Sequence, residues 1–183
     1  MKITLKNVRL AFAQNLFEAG TVAGEGKPAF SSTFLLSPED PQVKAINATI
    51  ESVATEKWGA KSKDILKQMR AQDKTCLHNG DTKATYAGFP GNMFVPARNP
   101  LRPTVVDRDK TPLVASDGKP YSGSYVNAVL ELWAQDNKYG KRINATLMGV
   151  QFYADGEAFS GGGVASDDDF DDVSSGADAE SLV

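Results

Sequence analysis

Polar and apolar residues alternate along the first dozen positions, MKITLKNVRLAF. Val8, Leu10 and Phe12 share one side of an extended chain, Ile3 and Leu5 the other, and the face changes near Asn7. The pattern predicts a strand over 2–12 with a bulge or bend. Residues 13–28 hold Gly20, Gly24, Gly26 and Pro28 and read as a loop; its glycines open no helix, so a phosphate-loop reading is weak. Phe30–Leu36, β-branched and aromatic in character, reads as a second strand. The period then changes. Val43, Ile46, Ile50 and Val53 step by 3, 4 and 3, one face of a helix. Ser37 is the expected N-cap, with Pro38 at the first helical position and Asp40 three past the cap. Trp58 closes the helix and Gly59 stops it. A shorter helix is expected over 62–70, with Ile65, Leu66 and Met69 inward.

From residue 74 strand-like pieces alternate with turn residues: 82–87, 92–97, 103–107, 124–135 and 142–153. Asn79-Gly80, Asp117-Gly118, 137–140 and Asp155-Gly156 mark turns. The fold class is mainly β or α+β. The simplest closed form is a small antiparallel barrel, OB-fold-like, with a two-helix insertion after the second strand. The clearest pair is 125–133 with 142–153. On the first of these Val126, Ala128, Leu130 and Leu132 point to the core, and Tyr125, Asn127, Val129, Glu131 and Trp133 point away. The joining hairpin carries Lys138, Tyr139, Lys141 and Arg142.

Length and composition fit one domain: 183 residues, 41% hydrophobic and 23% charged. No run approaches the roughly 18–20 apolar residues of a spanning helix, and the N-terminus lacks the apolar core of a secretory signal. With the single cysteine, Cys76, this points to a cytosolic protein with no disulfide framework and no membrane partner. Charge redraws the picture. Residues 165–183 carry Asp167, Asp168, Asp169, Asp171, Asp172, Asp178 and Glu180 and no cation, so the net −3 divides into +4 for residues 1–164 and −7 for the tail. The chain reads as a body over 1–159, a glycine-rich linker over 160–166 and a disordered acidic tail over 167–183. Phe170, alone among aspartates, is idle or a recognition anchor for a partner. The aspartates lack the spacing, turn glycine and distal glutamate of a calcium loop.

Enzymatic chemistry is thin. Cys76 and His78 are too few for a zinc site and lack a third orienting group for nucleophilic catalysis. Asp107 and Asp109 form a carboxylate pair that a metal-dependent nuclease could use, but such a site needs further carboxylates. A structural or assembly role, with the tail making subunit contacts, is a third reading. The body instead mixes cations with aromatics: Lys83, Tyr86, Phe89 and Phe94; Arg98 and Arg102; Tyr121 and Tyr125; Trp133; Lys138, Tyr139, Lys141 and Arg142. Cations track phosphates and flat rings stack on unpaired bases of any sequence. Among the rings, Tyr125, Trp133 and Tyr139 are the better stacking candidates, and Phe89 and Phe94 lean toward core. No cofactor is called for.

The strand-rich body, glycine linker and aspartate-rich tail resemble phage single-stranded DNA-binding proteins. The closer resemblance is to a tailed-phage family, formerly classed as a domain of unknown function, whose characterised members are OB-fold DNA-binding proteins. It is carried by Tyr125-Val126-Asn127-Ala128, by Gly140 to Ala145, by Leu147 to Phe152, by Asp155 to Phe159 and by the opening Lys6-Asn7-Val8-Arg9-Leu10. It implies no catalytic residues. It implies sequence-independent binding of single-stranded DNA in phage replication or recombination, in the cytoplasm of an infected bacterium, by a monomer or homodimer. It also implies a tail, Asp167 to Asp172 with Phe170, that contacts phage or host replication proteins. The tail departs from the bacterial pattern, which ends in Pro-Phe; here the chain ends Glu180-Ser181-Leu182-Val183. The basic body and acidic tail further predict that the tail competes with DNA.

Overall fold

The computed structural model describes residues 1–22, 25–159, 171 and 173. Of the expected tail only Asp171 and Val173 are described, both exposed; the linker over 160–166 and Asp167, Asp168, Asp169, Phe170 and Asp172 lie outside the described residues.

Strand β1 spans Lys2–Ala11. Asn7 takes φ 52, and the pairing register shifts between Leu5 and Val8. This bulge changes the phase of the alternation. Leu5, Val8 and Leu10 therefore enter one core, where the sequence pattern put Leu5 on the opposite face. The stretch read as a loop is partly sheet. Strand β2 (Gly20–Val22) pairs with the start of β3 (Glu25–Leu36), its ladder hidden by glycines and a proline that depress the strand signal.

Helix α1 (Pro41–Trp58) is capped by Asp40 rather than Ser37. Asp40 Oδ1 accepts from the Gln42 N–H at 2.9 Å and Pro41 holds the first helical position. Ser37 caps the turn before it, accepting from Glu39 N–H at 3.3 Å. Gly59, at φ 57, ends α1, and one 3₁₀ turn leads into α2 (Ser62–Ala71). Ile46, Ile50, Val53, Leu66 and Met69 share a single core with Leu130, Leu132, Ile143 and Leu147, so the insertion is packed on the sheet.

The remaining strands are β4 (His78–Asn79), β5 (Met93–Asn99), β6 (Thr104–Val106), β7 (Tyr125–Asn137) and β8 (Gly140–Ala154). No strand forms over 82–87. Asn79 accepts from Asp81 N–H and Asp81 accepts from Gly91 N–H, folding this segment into a 3₁₀ turn and a loop. Five strands close on themselves: β1 bonds β3 and β7, β7 bonds β8, β8 bonds β5, and β5 bonds β3. This is an OB-like barrel, with the helices inserted after its second strand. It is not wholly antiparallel: β5 and β8 run parallel at Arg98 and Thr146, and β6 continues that parallel edge from Thr104. The β7–β8 hairpin keeps bonding to Asn137 and Gly140, so its turn is only Lys138-Tyr139, with Gly140 at φ 106.

Candidate nucleic-acid interface

A groove of about 730 Å³ crosses the outside of β3, β5 and β8. Strand alternation builds it. On β5, Val95 and Ala97 face the core, which turns Pro96 and Arg98 outward. On β7 and β8 the same alternation buries Leu132, Ile143 and Ala145 and brings Trp133, Arg142, Asn144 and Thr146 to the groove. Residues from the segment between β1 and β3, Gln14, Asn15 and Thr21 among them, form one bank. In barrel order β3 and β5 are the second and third strands, flanked here by the loop joining the first two strands and by the paired fourth and fifth strands. That is the face with which OB-folds bind oligonucleotides.

The groove's chemistry is one-sided. Among the described residues no Asp or Glu lines it, whereas Arg98 and Arg142 do, both exposed. Trp133 is 43% exposed, and its indole N–H donates to Thr146 Oγ1 at 3.0 Å, which fixes the ring and leaves area for a flat ligand. Phe12 takes φ 57 and ψ 51, a left-handed conformation costing a bulky residue roughly 1–2 kcal/mol. The turn carries its ring off the β1 line to the groove, edge-on to Tyr86 at 5.2 Å. Tyr86, 47% exposed, thus stands beside the groove on a ring that lines it.

The other candidates divide. At the hairpin turn Tyr139 is 72% exposed with Lys138 over its ring at 5.1 Å. Lys141 pairs with Asp136 at 3.6 Å, and Asp136 also accepts the Trp58 indole N–H at 3.0 Å. That N–H, ahead of Lys141, holds the Asp136 carboxyl below its usual range. Lys83 is exposed on the 3₁₀ turn ahead of Tyr86. Arg102 lies over Phe17 at 6.0 Å. Three aromatics are used elsewhere. Phe94 is buried with Phe89, Leu35 and Ala11 and stacks on His78, so it has no free face for a base. The Tyr121 hydroxyl bonds Asp155 Oδ1 and the Gly156 backbone, and burial raises its pKa. Tyr125 packs beside Arg9 at 5.8 Å, next to the same returning segment. That segment ends at Phe159, held under Arg9 at 4.4 Å and against Gly88, where a Cβ would strike the ring.

The carboxylate pair suggested for a nuclease is tied into a turn. Asp107 binds Lys119 at 2.8 Å, which holds its carboxyl low, and Asp109 accepts from Thr111 N–H at 3.0 Å. No group of three or more potential metal ligands occurs among the described residues. His78 Nδ1 bonds Asp73 at 2.7 Å, and Cys76 is buried. Of the residues singled out in the sequence, Arg98, Trp133 and Arg142 line this groove. Sequence reasoning misses Phe12, whose strand-like pattern hides the left-handed turn, and the small polar wall of Gln14, Asn15, Thr21, Asn144 and Thr146, which carries no compositional signal.

A family model described as Enterobacter phage Enc34, ssDNA-binding protein, matches residues 1–182. Protein p50 of Acyrthosiphon pisum secondary endosymbiont phage 1 is 46% identical over 188 residues, covering all of both chains. The single-stranded DNA-binding protein from bacteriophage Enc34, solved in complex with ssDNA, superposes with a TM-score of 0.74 at 27% identity, over 86% of this chain and 89% of that one. The gp2.5 single-stranded DNA-binding protein of bacteriophage T7 shares the fold, with a TM-score of 0.57 at 13% identity over 90% and 97% of the two chains.

Proposed function

The chain belongs to the Enc34 ssDNA-binding family of phage proteins, which are binding proteins and not enzymes, and on that premise we propose that it holds single-stranded DNA in the groove over β3, β5 and β8. Arg98 and Arg142 bind phosphates. Trp133 stacks on a base, with Tyr86 at the groove's side and Tyr139 and Lys138 at the hairpin turn adding ring and charge. Lys83, Lys141 and Arg102 contribute field rather than direct contacts. Phe94, Tyr121 and Tyr125 serve the body. Stacking takes any base, so binding is independent of sequence. Such a protein protects and hands on exposed strands in phage replication or recombination, in the cytoplasm of the infected host, as a monomer or homodimer. The tail Asp167 to Asp172 competes with DNA for the cationic groove and presents Phe170 to replication proteins once displaced.

The observation that carries this reading is a groove with two arginines flanking a fixed, half-exposed indole and, among the described residues, no lining carboxylate. Trp133 also supplies the test. In a Trp58→Phe background Trp133 is the sole tryptophan, and oligothymidylate should quench its emission. Trp133→Ala should weaken binding by roughly 5- to 150-fold, the equivalent of about 1–3 kcal/mol of stacking. Arg98→Ala and Arg142→Ala should each lower the salt slope by about 0.7. Unchanged emission together with undiminished Trp133→Ala affinity would falsify the groove assignment.

A further inference from the structure

A second groove, of about 470 Å³, opens on the same outer face of the β7–β8 hairpin. The first groove takes Trp133 from β7; the second takes Val129, four residues earlier and so roughly 13 Å along the strand at about 3.3 Å per residue. Lys2, Lys6 and Lys110 line it, and among the described residues no Asp or Glu does. All three lysines are exposed, and among the described residues no carboxylate stands within ion-pair distance of them. Val129 and Met148, the latter 39% exposed, supply its apolar surface.

Three like charges gathered on one concavity repel one another, and an anionic ligand relieves that repulsion. Glu131 stands between Val129 and Trp133 on the same face of β7. Its carboxylate is bonded by the Met1 ammonium at 3.1 Å, so the ridge between the grooves carries no uncompensated negative charge. We infer that the second groove is a phosphate track for the next stretch of the same single strand, beyond Arg98, Trp133 and Arg142. The inference rests on the DNA-binding reading above. Continuity along one face favours a strand over a separate acidic protein segment, which would need no path between the two grooves.

Salt titrations of the unaltered protein and the triple variant Lys2→Ala, Lys6→Ala, Lys110→Ala test this. The probes are oligothymidylates of about 6 and about 20 nucleotides, lengths bracketing much of the range OB-folds cover. On the longer strand the slope of log K against log salt should fall by about 2, or 0.7 for each phosphate the variant no longer neutralises. On the shorter strand the variant should match the unaltered protein, which also shows that it is folded. Equal slopes for both proteins on both lengths overturn the inference and leave the first groove's role standing. Equal reductions on both lengths also overturn it, because the lysines then act through overall charge. An unchanged long-strand slope, with binding of a peptide of residues 165–183 abolished, assigns the groove to acidic protein instead. Failure of the unaltered protein to bind either strand removes the reading beneath.

Discussion

Cys76 lies in the groove wall, yet it is 3% exposed and burial pushes its thiol up to about 12. The thiolate is the nucleophile. At pH 8 its share at such a pKa is on the order of 10⁻⁴, against roughly a quarter for a free cysteine. Iodoacetamide at pH 8 should therefore leave the folded protein unmodified for hours and add one carbamidomethyl in denaturant, read by intact mass; rapid alkylation of the folded chain would contradict this placement. The same contrast between neighbouring environments explains which site residues are legible in sequence. Trp133 stands on a long alternating strand whose four core residues, Val126, Ala128, Leu130 and Leu132, all fall on the other face, so its exposure could be read directly. Phe94 sits in Met93-Phe94-Val95-Pro96, where apolar neighbours blur the alternation, and only the packing of His78 from β4 settles that it is covered. Tyr121 and Tyr125 have the right chemistry and spacing, but the chain segment 155–159 returns across them, a contact between positions more than 25 residues apart that no local pattern announces.

At the scale of elements, α1 is the case where pattern and structure agree on the body and differ at the start. Ile46, Ile50 and Val53 fix the buried face, while two Pro-containing starts, Ser37-Pro38 and Asp40-Pro41, compete for the cap. The second prevails because Asp40 places its carboxylate on the Gln42 N–H, where a negative charge also meets the positive end of the helix dipole. Gln42 in turn exchanges hydrogen bonds with the Lys6 backbone at 2.7 and 2.9 Å, pinning the helix start to β1 at the bulge. Asp40→Ala should cost about 1 kcal/mol, within the roughly 0.5–2 kcal/mol range for removed caps, and Ser37→Ala distinctly less. Urea denaturation of both variants checks the order; a larger effect at Ser37 would move the cap back. Strand β2 and the absent strand over 82–87 are opposite departures from the pattern with one cause. Glycines masked a real ladder in the first, and a β-branched, aromatic composition imitated one in the second, where Asn79 and Asp81 accept from the Asp81 and Gly91 N–H groups and close the segment into a turn and loop.

The whole molecule separates its charges, and this division is legible without any contact because composition alone carries it: +4 over residues 1–164 and −7 over 165–183. Barrel closure is legible only as a preference, since the parallel pairing of Arg98 with Thr146 joins strands far apart in the chain. The structure adds where the described body ends. Phe159 is fixed beside Phe12, Phe89 and Phe94 in one cluster, and Phe12 lines the groove. Seven residues, 160–166, then separate this anchor from Asp167, and their fullest reach is about 24 Å. On the proposed competition, a flexible tether of that length would hold the aspartates at millimolar order of effective concentration around Arg98 and Arg142. A tail of sub-millimolar affinity for the groove would then weaken DNA binding several-fold. Because the proposed competition is between two polyanions for the same cations, it should fade as salt shortens the screening length from about 10 Å at 0.1 M to about 3 Å at 1 M. A chain ending at Gly163 should accordingly bind oligothymidylate more tightly than the full chain at low salt, with the two curves converging as salt rises. Equal or weaker binding by the shortened chain at low salt would leave the acidic segment free of the groove and confine its role to protein partners.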